Sequence, residues 1–312
     1  MSAPTLEPVS FSLWRSDPPA FAQALGASFE RHGFAVVRDH GLDQNRIDRA
    51  LAAAKAFFAL PQAQKLRWRV AGASGQRGYT PFGVETAKDA TRADLKEFWH
   101  VGRELAAGHP LAASMAPNVW PDEPEDFREA TSWLYAALDR LGGEILCAVA
   151  LRLGLPRGHF DPAIDEGNSV LRLLHYPPVT LDGGAIRAGA HEDINAITLL
   201  LGAEEAGLQI LDKAGCWRPI DPPPGAVVVN IGDMLARLTN DVLPSTTHRV
   251  VNPAPERAGV ARYSTPFFLH FRSDFLIQTL PGCIAVQGAD RYPEPITADA
   301  FLRRRLEEIR LA

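Results

Sequence analysis

The chain has 312 residues, 46% of them hydrophobic, enough to bury a full core as one large domain or as two packed subdomains. A net charge of -5, with the 32 Lys and Arg scattered rather than clustered, leaves no basic footprint for DNA or RNA. No apolar run is long enough for a membrane span, and "MSAPTLEPVSFSLWRSDPP" lacks the charged start and apolar core of a signal peptide, so a cytoplasmic protein is expected. Cys147, Cys216 and Cys283 are too few and too widely spaced for a disulfide framework or a four-thiolate zinc site; a metal would be held by nitrogen and oxygen.

In chain order, Phe21 to His32 has helical spacing and ends at Gly33, and Phe34 to Leu42 reads as a strand and turn. "NRIDRALAAAKAFFAL" is an Ala-rich helix with Ile47, Leu51, Ala54 and Phe58 on one stripe, stopped by Pro61. "AGASGQRGYTPFG" reads as a glycine-punctuated loop, either plain surface or a lid over a substrate. From Asp126 to Leu155 the pattern is helical, with Trp133, Leu134, Ala137, Leu138, Leu141, Ile145 and Val149 as the apolar stripe. Beyond Gly167 come short β segments: "SVLRLLHYP", "AITLLLG", "LQIL", "WRPIDPPP", "AVVVNIGD", "HRVVNP" and "RYSTPFFLHF", a spacing that suggests a sandwich or barrel. The tail "TADAFLRRRLEEIRLA" returns to helix, with Thr297 as N-cap and Asp299 in the first turn.

Chemistry concentrates at "AHEDIN". On a strand, residues two apart share a face about 7 Å apart, so His191 and Asp193 can converge on one ion while Glu192 points away. A third ligand is needed. His248 in "LPSTTHRVVNP" opens a β pattern in the same half of the chain; His270 and His175 compete for the role. Two imidazoles and one carboxylate leave three positions of an octahedral ion open, the arrangement of non-haem iron(II) oxygenases, whereas a zinc hydrolase uses the same residue types with one position open. Arg262 and Ser264 in "RYS" decide between them, because on one strand face they can fork onto a carboxylate. The sequence holds no Ser-His-Asp order, nucleophile elbow, phosphate-binding glycine loop or HExxH.

These residues carry a resemblance. "HEDINAITLL", the stretch from "WRPIDPPPGAVVVNIGD" to "STTHRVVNP", and "RYSTPFF" resemble, in order, the motifs of the iron(II)- and 2-oxoglutarate-dependent dioxygenases of the isopenicillin N synthase-like branch. "RHGFAVVRDHGL", "RGYTPFG" and "DLKEFWHVGRE" are similar to that branch's leader, so the likeness covers nearly the whole chain. It implies a mixed α+β fold: a double-stranded β-helix, or jelly roll, flanked by helices, with an N-terminal helical and αβ leader. The expected division is 7–125 for the leader, 126–166 for core helices, 167–272 for the jelly roll and 273–312 for the tail.

Carried over by position, the resemblance implies Fe(2+) on His191, Asp193 and His248, and 2-oxoglutarate on Arg262 and Ser264 with help from Tyr176. Leu174 departs from the asparagine of many plant members and removes a polar contact to the cosubstrate. The implied reaction uses molecular oxygen and couples oxidative decarboxylation of 2-oxoglutarate to hydroxylation or desaturation of a small organic substrate. Arg77, Tyr79 and Phe267 are candidate substrate contacts, and Lys96 and His100 come from segments that close over substrate in such enzymes. Competing readings are an ethylene- and succinate-forming enzyme or 2-oxo acid oxidase of the same branch, a silent metal or small-acid binding module, and a cupin-like metal isomerase. No nucleic-acid or membrane partner is expected, and neither oligomeric state nor primary substrate is legible.

Overall fold

The computed structural model describes residues 6–71, 75–84, 94–178, 187–201, 207–253, 256 and 259–308. The chain opens with β1 (Val9–Ser10), α1 (Ser12–Ser16) and α2 (Pro18–His32). Asp17 starts α2 by accepting the Ala20 amide at 3.1 Å, and prolines fill a first turn that needs no N–H donors. Gly33 ends it in the left-handed region, φ 68°, and turns the chain directly into β2 (Phe34–Arg38). Asp43 caps α3 (Gln44–Ala59) through the Asn45 and Arg46 amides, and α4 (Gln62–Leu66) follows Pro61.

Next come β3 (Gly78–Thr80), β4 (Glu97–Gly102), the long α5 (Phe127–Arg152) and the single turn α6 (Asp161–Ile164). The β-rich half contributes β5 (Val170–Tyr176), β6 (Ala188–His191), β7 (Ile197–Leu201), β8 (Leu208–Leu211), β9 (Trp217–Pro219), β10 (Val227–Ile231), α7 (Asp233–Leu238), β11 (His248–Val250) and β12 (Arg262–Leu269). The end of the chain forms β13 (Leu276–Ile277), α8 (Pro281–Gln287), β14 (Ile296–Thr297) and α9 (Ala298–Glu308).

An eight-stranded sheet runs β1-β2-β10-β7-β12-β5-β4-β3, and a four-stranded sheet runs β6-β11-β8-β9. The two sheets face each other as a jelly roll. Alternation gives every strand of the large sheet an outer and an inner face. Outer residues meet the helices: Phe57 of α3 stands 4.8 Å from Trp99 of β4, ring centre to ring centre, and Trp99 stands 5.1 Å from Phe127 of α5. Gly142 lets α5 come this close, since a Cβ there would sit 2.4 Å from Leu269 of β12. Inner residues meet the small sheet. Phe34, Val36, Leu208, Ile210, Ile220, Ala226 and Val228 fill one flank, and Phe98, Leu174, Tyr176, Ala188 and Val250 the other.

Several elements differ from the sequence expectation. The glycine-punctuated segment contains β3, which pairs antiparallel with β4; residues 72–74 of that segment lie outside the described residues. Four strands of the large sheet, β1 to β4, come from the N-terminal part of the chain. Thr297 does accept the amide of Ala300, at 3.3 Å with its Oγ1, at the start of α9. Among the described residues, no helix is long and apolar enough to cross a membrane.

Candidate metal centre and anion pocket

His191 ends β6 and stands directly opposite His248, the first residue of β11, so antiparallel pairing aligns the two imidazoles. Their ring centres lie 4.4 Å apart. Asp193 lies beyond the end of β6, not on it, which corrects the expectation of one strand carrying both residues. The segment after His191 folds back instead, and the turn between β10 and α7 clasps it. The amide of Asp233 donates to the Asp193 carbonyl at 2.7 Å and that of Gly232 to the Ala196 carbonyl at 2.9 Å. Gly232 is obligatory for this approach, because a Cβ would stand 2.1 Å from the Asn195 carbonyl oxygen.

The result brings one atom from each of His191, Asp193 and His248 within 4.8 Å of one another. Oδ1 of Asp193 lies 3.8 Å from Nε2 of His191 and 3.7 Å from Nε2 of His248. Each Nδ1–H donates to a backbone carbonyl two residues earlier, Gly189 at 2.7 Å and Thr246 at 3.1 Å, which fixes the tautomer and turns the Nε2 lone pair inward. Oδ2 of Asp193 accepts from Asn230 at 2.8 Å and from the Thr198 hydroxyl, so only Oδ1 faces the imidazoles. The His191 side chain is 37% exposed, against 6% for Asp193 and 9% for His248, placing His191 at the rim. The cost of desolvating its charged form, with the His248 ring beside it, lowers its pKa to about 4. Burial works against the charge of Asp193, but the His248 and His191 rings and the hydrogen bonds from Asn230 and Thr198 outweigh it and hold the carboxyl below its ordinary range.

This donor set of two oriented imidazoles and one oriented carboxylate oxygen suits a divalent metal bound on one face. Glu192, between the two first ligand candidates, turns outward to accept from Thr247 at 2.8 Å. Of the competing histidines, His175 faces outward and donates to Glu97 at 2.7 Å, whereas His270 lies within the inner face, its pKa lowered to about 4 by burial.

Arg262 and Ser264 share the inner face of β12, opposite Tyr176 and Leu174 of β5. Arg262 is 2% exposed, and its guanidinium lies 5.1 Å from the Tyr176 ring centre. Tyr176 and Leu174 belong to one buried cluster with Phe98, Ala188 and Val250, the last two lying on the same strands as His191 and His248. Two residues of strand, about 7 Å, separate Val250 from His248. Arg262 and Ser264 therefore share an inner face with the Tyr176 cluster, which reaches the two strands that carry His191 and His248.

The three expected substrate contacts go elsewhere. Phe267 faces outward, edge-on to Tyr135 of α5 with ring centres 5.1 Å apart, and alternation gives the inner place to Phe268. Tyr79 also faces outward, buried, donating to Glu97 and Gln62. Arg77 is buried against Gly102 and donates to the carbonyls of Ala116 and Gln76 at 2.8 and 2.7 Å. Lys96 donates to Asp94 at 2.8 Å, and Asp94 in turn accepts the Gly189 amide beside the triad. Sequence reasoning missed Asn230 and Thr198; a single polar residue inside each apolar run, "AVVVNIG" and "AITLLL", was the available signal.

Two family models match the chain: the non-haem dioxygenase in morphine synthesis N-terminal over residues 6–123, and the 2OG-Fe(II) oxygenase superfamily over residues 167–271. A relative, the 2-oxoglutarate-Fe(II) type oxidoreductase hxnY of Emericella nidulans, is 36% identical over 96% of this chain and 89% of that protein. The chain belongs to the 2OG-Fe(II) oxygenase superfamily. It is a 2-oxoglutarate-dependent oxidoreductase that uses iron(II). A solved 2OG-Fe(II) oxygenase family protein from Caulobacter crescentus is 61% identical over 99% of this chain and 100% of that one, with a TM-score of 0.92. A full-length Neurospora crassa protein, solved with alpha-KG and thymine, is 30% identical over 96% of each chain, with a TM-score of 0.85. Like these relatives, the chain has a jelly-roll fold.

Proposed function

We propose that this oxygenase holds iron(II) on His191, Asp193 and His248, binds the distal carboxylate of 2-oxoglutarate with Arg262, Ser264 and Tyr176, and hydroxylates a small organic molecule. The observation that carries the assignment is the convergence of the three donor atoms within 4.8 Å, with the buried Arg262 on the inner face of the same jelly roll. Bound there, iron(II) supplies the redox centre at which oxygen is activated as 2-oxoglutarate is decarboxylated to succinate. The protein's part is orientation. The carbonyls of Gly189 and Thr246 fix both imidazoles, and Asn230 and Thr198 fix Asp193, so no ligand must reorganise when metal arrives. Arg262 offers a planar fork that matches a carboxylate, and the Tyr176 ring backs its face. Apolar walls on both flanks of the interior limit water beside the reacting C–H bond.

Hydroxylation is supported by relatives such as the proline hydroxylase buaE of Petromyces alliaceus, 32% identical over 92% of each chain. Complexes of the Neurospora crassa protein with thymine and with 5-formyluracil support a small-molecule substrate. We also propose a cytoplasmic location and the division 7–125, 126–166, 167–272 and 273–312, which the matched spans 6–123 and 167–271 support. Arg262→Ala tests the assignment. Removing one partner of a buried charged contact costs about 3 kcal/mol or more, so the 2-oxoglutarate concentration for half-maximal succinate formation should rise at least about a hundredfold. An unchanged requirement removes Arg262 from the role.

A further inference from the structure

The strand that carries His191 is irregular just before it. Between β6 and β11, His191 pairs with His248 and Ala188 with Val250, so Gly189 and Ala190 together stand opposite Arg249 alone. One extra residue of this kind is a β-bulge, which interrupts the ladder and re-aims the side chains around it. β6 is also an edge of the four-stranded sheet, with β11 as its neighbour. Bulged backbone on an edge strand must find hydrogen-bond partners from outside the ladder. The Gly189 amide finds one in the N-terminal part of the chain. It donates to Asp94 Oδ1 at 3.2 Å, across 95 residues of sequence, while the Gly189 carbonyl accepts from His191 Nδ1 at 2.7 Å.

Asp94 is itself fixed. Its Oδ2 accepts from Lys96 Nζ at 2.8 Å, and both residues are buried, 6% and 8% exposed. Desolvation offsets most of the attraction in a buried ion pair, so stability alone gives little reason to keep one. Its geometry gives a better one. Lys96 occupies one carboxylate oxygen and leaves the other aimed at the Gly189 amide.

We propose that Asp94 is a positioning residue for the metal centre: it supplies the acceptor that the bulged ladder does not, and so fixes the Gly189 carbonyl that orients the His191 ring. The inference rests on the assignment of iron to His191, Asp193 and His248 given above. Of the three, His191 most needs such a hold. It lies at the rim, 37% exposed, on the last residue of an edge strand. His248 lies on β11, flanked by β6 and β8, and Asp193 is held by Asn230 and Thr198. Metal affinity therefore depends on a side chain of the N-terminal segment, acting through one peptide of β6.

The test uses the full chain and two readouts: calorimetric titration with Mn(II), a redox-silent stand-in, in the presence of 2-oxoglutarate, and hydrogen exchange of the Gly189 amide in the metal-free protein. Replacing Asp94 alone would strand a buried ammonium, so both partners are removed in Asp94→Ala/Lys96→Met, which leaves the net charge near the metal unchanged. The Gly189 amide should then lose its protection, and Mn(II) affinity should fall about 10- to 100-fold, the range for an outer partner of a ligating histidine. Lys96→Met alone leaves the carboxylate on Gly189 and removes a positive charge that acts on the His191 ring, so its Mn(II) affinity should hold or rise. The proposal is overturned if the double variant binds Mn(II) within twofold of wild type, if it loses affinity while Gly189 stays protected, or if Lys96→Met loses as much as the double variant. The unaltered protein decides the matter even where a variant misfolds, because a Gly189 amide that exchanges at the unprotected rate rules the hydrogen bond out. Wild-type protein that binds no Mn(II), or His191→Ala that binds it as the wild type does, would count against the metal assignment instead.

Discussion

Replacing Asn230 with leucine measures what the hydrogen bonds behind Asp193 contribute to metal binding. Asn230 Nδ2 donates to Oδ2 of Asp193 at 2.8 Å, the Thr198 hydroxyl donates to the same oxygen, and Oδ1 alone faces the imidazoles. Leucine keeps the branched outline of asparagine, so no cavity forms; the loss is one hydrogen bond to a charged group, about 1.5–3 kcal/mol. The carboxylate is present with and without metal, so part of that loss cancels between the two states. What reaches the metal is the lost orientation, about 10- to 100-fold in affinity for a partner of this kind, or roughly 1.4–2.8 kcal/mol. The assay is anaerobic titration of Fe(II) with 2-oxoglutarate present, read by the visible charge-transfer absorption of the complex and repeated with Mn(II) by calorimetry. Thr198→Val should behave similarly, and the double variant should lose less than the sum of the two because both act on one oxygen atom. A metal Kd within twofold of wild type in Asn230→Leu would refute the view that these side chains preset the ligand.

Gly232→Ala forces a Cβ to within 2.1 Å of the Asn195 carbonyl oxygen and 3.0 Å of that of Asp193, so it should cost about 1–3 kcal/mol of stability and weaken metal binding in the same titration. Phe267→Ala should cost about 3–5 kcal/mol in urea unfolding without shifting the 2-oxoglutarate requirement of the folded protein, because the ring packs on Tyr135 outside the cavity. Glu97 gives a pH signature. Burial opposes its charge, but hydrogen bonds from His175, Lys65 and Tyr79 outweigh that and hold its carboxyl below the ordinary 4.5. Its stabilising share is therefore complete above pH 4.5 and lost as pH falls through the lower folded value. Melting temperatures followed from pH 7 downward should fall less steeply below about 4.5 in Glu97→Gln than in wild type; parallel curves would remove Glu97 from that role.

The helices were legible because their signals are local: Gly33 and Pro61 stop α2 and α3 where the pattern ends. The triad and the Arg-X-Ser pair were legible because ligand types recur at fixed order. Asp193 shows the limit of reading a spacing as a strand, since its place is set by the backbone of Gly232 and Asp233, nearly forty residues away in sequence. Phe267 and Phe268 show another, because a pair of adjacent aromatics does not reveal which one faces in; only the pairing of β12 with β5 and β7 does. β4, in "EFWHVG", is buried on both faces and has no alternation to betray it.

The placement of β4 has an evolutionary corollary. Phe98 and His100, which line the interior beside Arg172, belong to the N-terminal part of the chain, while Phe268 and the triad belong to the C-terminal part. Recombination between homologues at the junction before α5 would therefore exchange part of the interior wall while leaving the cluster of His191, Asp193 and His248 intact. Such an exchange keeps the large sheet whole only where the incoming leader offers strand edges that zip onto β5 and β10.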